Sequence, residues 1–140
     1  MEIISHNSCP PKKKITKPKR KVAHHGTIAS SRLPDLYQHL VNGKSDATFK
    51  AVAIALIVSG LRVSNIAMLR QEHYDPKTGQ FTIPEKTNDT EMLGLMKTGG
   101  KYSNIFPAEV RDIINVQMVE DHEYVFVSRY NGRHINPESL

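Results

Sequence analysis

The sequence predicts an α+β domain that is mainly helical and carries a small antiparallel β-sheet. Three observations lead there. Apolar residues recur at helical spacing between Leu33 and Leu69. Two short β-prone runs, 80–83 and 103–106, then lie between turn residues. Helical spacing returns after Pro107. Helices and strands are thus grouped and not alternated, which separates α+β from a parallel α/β design.

In chain order, the first element is a basic tail. Residues 1–22 hold seven Lys/Arg and one Glu, whereas residues 23–140 hold twelve Lys/Arg and thirteen Asp/Glu. The chain's net charge of +5 is therefore concentrated in "PPKKKITKPKRKV". Its prolines keep this segment out of a helix interior. Lys12, Lys13, Lys14, Lys17, Lys19, Arg20 and Lys21 suit a polyanion, whose counterions they would release. A disordered, solubilising tail is the other reading of the same residues. The remainder, 23–140, has the length of one domain with a hydrophobic core.

The domain opens on "SSRLPDLYQHLVNG", where Leu33, Leu36, Tyr37, Leu40 and Val41 fall on one helical face. Ser30 or Ser31 is expected to cap its start, and Asn42-Gly43 to stop it. "SDATFKAVAIALIVSG" follows, with Ser45-Asp46 as a capping pair and Gly60 as the C-terminal stop. Its run of eight apolar residues, 51–58, is too continuous for a one-sided helix. It reads as a fully buried central helix, with a buried strand over 54–58 as the alternative. Ser64 is expected to cap a third helix that turns Ile66 and Leu69 inward.

Asp75–Gly79 then reads as a turn, and 80–83 as a strand. Gly99-Gly100 marks a second turn and 103–106 the partner strand. A helix from about Pro107 should bury Val110, Ile113 and Ile114. "EYVFVS" reads as a further strand and "RYNGRH" as a turn. Asn136 as N-cap, Pro137 at the first helical position and Glu138 in the first turn announce a helix that stops four residues later, as if the chain were shorter than its fold.

Several function classes drop out. The longest apolar run is far shorter than the ~20 residues that span a bilayer, and Met1–Pro10 lacks the apolar core of a signal peptide. Neither a membrane partner nor a small-molecule substrate is expected. A lone cysteine, Cys9, cannot form an internal disulfide, which suits a reducing, cytoplasmic setting; it is given no role. His24 and His25 have no Cys/His partners at zinc-site spacing, so no metal or cofactor is expected.

One residue asks for an explanation. Arg62 follows Gly60 at the end of the apolar run, and an arginine in an apolar setting is costly unless it is paired or meets an anion. The series "LIVSGLRVSNIAMLR", "GQFTIP", "KTGGKYSNIFPAEV" and "YVFVSRYNGRHINPESL" resembles the catalytic domain of the phage integrase (tyrosine recombinase) family. The resemblance runs from about Lys21 to Leu140. It is closest to prophage and genomic-island integrases, whose catalytic domains follow a basic linker and a start like His24-His25-Gly26.

The resemblance implies a partial tyrosine-recombinase catalytic domain with DNA, and other integrase subunits, as partners in a bacterial or phage-infected cell. It places the family's first catalytic arginine at Arg62 and its hairpin lysine at Lys97, with Lys101 and Lys86 as alternatives. Lys101 also counts among the expected DNA contacts. In that chemistry a tyrosine attacks a DNA phosphodiester and a 5′-hydroxyl departs. A planar guanidinium offers two parallel hydrogen bonds to the phosphorane oxygens, which lysine cannot reproduce. The lysine instead protonates the departing hydroxyl.

The chain departs from the family pattern at two places. Asn65 stands where the family has Asp or Glu, three residues after the arginine. The family's later His-x-x-Arg segment and nucleophilic tyrosine find no counterpart, since Tyr102, Tyr124 and Tyr130 precede that segment. The chain alone is therefore expected not to cleave DNA, and to be aggregation-prone because the strand at 124–127 and the short final helix would leave apolar surface open. Two alternatives stand beside this reading. The first is a helix-turn-helix DNA-binding module over "AVAIALIVSGLRVSNIAMLRQ", using Asn65 and Arg70. The second is a regulatory module that does not bind DNA.

Overall fold

In a computed structural model, residues 27–87 and 94–140 are described. The tail, Cys9, His24 and His25 lie outside them. The described chain is α+β: four α-helices and a two-stranded antiparallel sheet, with short 3-10 turns between. Helix α1 is Leu33–Asn42, α2 Ala47–Ser59, α3 Val63–Ala67 and α4 Ala108–Gln117. Strand β1, Gln80–Ile83, pairs with β2, Tyr102–Ile105, from Gln80 opposite Ile105 to Ile83 opposite Tyr102.

The core follows from which faces these elements bury. Ala51, Val52, Ile54 and Ala55 of α2 meet Val110 and Ile114 of α4, while Ile66 and Leu69 close one end. Phe81 on β1 stacks on Phe106 with centroids 4.3 Å apart, and Tyr74 lies 6.5 Å from Phe106. Tyr74 donates its hydroxyl to Asn115 Oδ1 at 3.0 Å, and burial pushes this phenol up to about 12. The turn into β1 is built by Asp75, whose carboxylate accepts from Thr78 Oγ1 at 2.7 Å and Lys77 N at 2.9 Å. Those bonds hold the Asp75 carboxyl below its ordinary value.

Several sequence expectations need correction. Ser30 and Ser31 do not cap α1; they belong to a 3-10 turn, Ser30–Arg32, and the helix starts with Pro34 in its first turn instead. Asp46 precedes α2 but makes no cap bond, because its carboxylate pairs with Arg129 at 2.8 Å. Residues 54–58 are helical, not a strand, yet α2 is not buried all round: Val58 is 43% exposed. Helix α3 begins one residue before Ser64, with Arg62 in the capping position. Strand β2 lies one residue earlier than expected, because Phe106 leaves the ladder to enter the core after a last bond from its N to Gly79 O. Ile113 is only half-buried.

The largest correction concerns 123–128, which is not a strand. It makes only isolated bridges, Tyr124 with Arg70 and Val127 with His134. Val125 and Phe126 are adjacent and both fully buried, whereas a strand would send successive side chains to opposite faces. A bend there turns both inward, so these two side chains are covered, while Val127 stays half-buried beside Phe49 and Leu140. It is sewn to the end of α3 along a seam: Val125 N donates to Leu69 O (2.9 Å) and Gln71 N to Glu123 O (3.0 Å). The Gln71 side-chain amide adds bonds to Val119 O at 2.7 Å and Tyr124 O at 3.1 Å. Asn136 does cap the final turn, accepting from Glu138 N at 3.0 Å, and Pro137–Ser139 forms a 3-10 helix.

Candidate nucleic-acid interface

Gly60 creates the position of Arg62. Its φ of +65° ends α2 in a left-handed step that L-residues adopt at a cost. The chain then runs extended through Arg62 (φ −71°, ψ 151°), whose carbonyl accepts the first helical bond of α3, from Asn65 N at 3.0 Å. The Arg62 side chain is exposed, and no carboxylate pairs with it among the described residues. A guanidinium beside a helix start, with no internal ion partner there, is open to an anion from outside.

Asn65 fastens this arginine to the rest of the site. It is 3% exposed, and its side-chain oxygen accepts from Arg62 N at 3.2 Å. Its amide nitrogen donates to Gly94 O at 2.7 Å and Leu95 O at 3.0 Å. One amide thereby holds two chain segments together with both donors and its acceptor. An Asp or Glu could not do this, because a carboxylate has no proton for the two carbonyls. Gly94 is the matching residue: at φ +86°, a Cβ there would sit 2.8 Å from Ser64 O and 2.9 Å from Met68 Cβ. The backbone can approach α3 only without a side chain.

Lys97 follows two residues after Leu95, at the head of a turn closed by Gly99 N to Met96 O at 2.9 Å. Lys86 N donates to Gly99 O at 2.8 Å, extending the hairpin past β1. Lys86, Lys97 and Lys101 therefore all lie at the loop end of one hairpin, all exposed. Lys12, Lys13, Lys14, Lys17, Lys19, Arg20 and Lys21 lie outside the described residues.

The three later tyrosines occupy different surroundings. Tyr102 is in β2 and accepts from Asn104 Nδ2 at 3.0 Å. Tyr124 packs edge-on to His134 (5.2 Å), under the Arg70 guanidinium at 5.8 Å. Tyr130 stands at a hairpin tip. Arg70 itself pairs with Glu123 at 2.9 Å. Arg70 and Asn65, the pair that a helix-turn-helix would turn toward bases, are thus both engaged within the protein, and α3 has only five residues.

Two features escaped sequence reasoning. Gly94 gave a signal, a lone glycine in a looser stretch, but not its partner. The donor requirement at position 65 was readable only once Gly94 and Leu95 lay beside it. Among the described residues, no three His, Cys, Asp or Glu side chains converge as a metal site, and no helix is long and apolar enough to cross a membrane. No family model matches the chain, and neither a curated protein nor a solved structure matches it.

Proposed function

We propose that this chain is the first part of the catalytic domain of a phage-integrase-type tyrosine recombinase, which binds DNA through its phosphates and does not cleave it unaided. The observation that carries the reading is the link from Arg62 through Asn65 to the loop leading into Lys97. A chemistry that needs a guanidinium on the non-bridging oxygens and an ammonium at the leaving oxygen needs them at a fixed separation. The Asn65 amide ties together the two backbone segments that present them. No His-x-x-Arg occurs in the 140 residues, so the second arginine of that chemistry has no candidate here. DNA, other integrase subunits and a cytoplasmic setting belong to the same proposal.

The test is anisotropy of a labelled duplex with the purified chain, across a salt series. Arg62→Ala is expected to weaken binding about tenfold, the worth of one charge-assisted bond. Lys97→Ala is expected to lower the salt slope by about 1. No covalent protein–DNA adduct should form. Wild-type affinity in both variants, or an adduct, overturns the reading.

A further inference from the structure

The turn over 128–133 is a braced platform. Ser128 N donates to Arg133 O at 2.7 Å and Gly132 N to Ser128 O at 3.0 Å. Arg133 N donates to Asn131 Oδ1 at 2.9 Å, and Tyr130 N to Ser128 Oγ at 3.3 Å. Two outside contacts steady it. Tyr124 N donates to His122 Nδ1 at 3.1 Å, so that nitrogen holds the lone pair, and protonated Nε2 donates to Gly132 O at 2.9 Å. Arg129 is anchored on Asp46 at 2.8 Å.

This frame carries an exposed ring. Tyr130 is fully exposed, at 102%, whereas Tyr37, Tyr74, Tyr102 and Tyr124 all pack against the core or other rings. Residues 128–133 contain two arginines and no carboxylate, and Arg133 has no ion pair among the described residues. An exposed aromatic on a braced turn, three residues from an arginine without an ion pair, fits a nucleobase on the ring and its phosphate on the cation.

We propose that Tyr130 is a stacking site for an unpaired nucleobase, with Arg133 on the adjoining phosphate. The proposal rests on the nucleic-acid reading above and adds a contact from a separate part of the chain. A base inside a duplex has both faces covered, so the site takes single-stranded or splayed nucleotides.

The chain contains no tryptophan, so Tyr130→Trp supplies a lone reporter. The full-length variant is titrated with an oligothymidylate of about 12 nucleotides, within the range such sites cover. Tryptophan emission is read in parallel with anisotropy of the labelled oligonucleotide. Emission should be quenched in step with binding, and several-fold less by a blunt duplex. In the otherwise native chain, Tyr130→Ala should weaken single-strand binding by at least about fivefold, the lower end of base stacking. Tyr130→Phe should retain it. Arg133→Ala should lower the salt slope by about 0.7.

Saturation without quenching, with Tyr130→Ala binding normally, overturns this proposal and leaves the tip to a protein contact. The Arg62 reading survives that outcome if Arg62→Ala still weakens binding. Equal quenching by blunt duplex overturns the choice of an unpaired base. Absence of any DNA binding overturns both readings.

Discussion

At the scale of single residues, an amide at position 65 does what a carboxylate could not. Asn65→Asp places a negative charge against the carbonyls of Gly94 and Leu95 and should cost more than about 3 kcal/mol, because buried charges without donors are penalised beyond neutral unpaired groups. Asn65→Ala should cost about 2 kcal/mol by the same accounting of lost bonds. Urea denaturation of both variants checks the order. Tyr74 gives a second prediction. Its phenol is pushed up to about 12, so one tyrosine should ionise late in an ultraviolet titration, and Tyr74→Phe should abolish that step. The sign follows: the unfolded chain loses this proton near its ordinary value of roughly 10, so Tyr74's share of stability is lost as pH rises from there to about 12. The position of Arg62 past a helix end was legible from Gly60. The partners of Asn65 were not, because Gly94 and Leu95 lie 29 and 30 residues away and no local pattern links them.

Elements were readable where they carry their own instructions. The turn before β1 was clear because Asp75, Thr78 and Gly79 each have a local task, the carboxylate accepting within the turn and the glycine supplying a φ of +76°. Helix α2 was clear for the same reason, with Gly60 stopping it. The segment 123–128 was misread because a run of apolar residues states that it is buried but not how it bends. Only packing decides that Val125 and Phe126 both point inward. The glycines that end or join elements separate two costs. Gly60→Ala meets nothing within 4 Å and should cost about 1 kcal/mol from its backbone alone. Gly94→Ala adds close contact with α3 backbone and should lower the melting temperature clearly more. Calorimetry on the two variants distinguishes them; equal losses would mean that the 94–95 loop does not press on α3.

For the whole molecule, the most exposed aliphatic side chains among the described residues are on helix α4 and at the end of β2, while Leu140, at the short final helix, is 37% exposed. Val116 is 85% exposed beside Ile113 and Lys50, and Ile105 is 61% exposed at the end of β2. Concentration-dependent self-association is therefore expected, and Val116→Lys should reduce it in light scattering without altering the melt. The seam between 69–71 and 119–125 has a different consequence. The Gln71 side-chain bonds in it join residues 48 and 53 positions apart and form no ladder, so neither aligns the next. Closing a loop that long carries an entropy cost that the β1–β2 hairpin and the α2–α3 pair, whose partners lie closer along the chain, do not face. The seam should thus assemble after the β1–β2 hairpin. Pulse-labelled hydrogen exchange during refolding would record this as a sequence in time, with the Phe106 amide, bonded to Gly79 O across the hairpin, protected first and the Val125 amide trailing it.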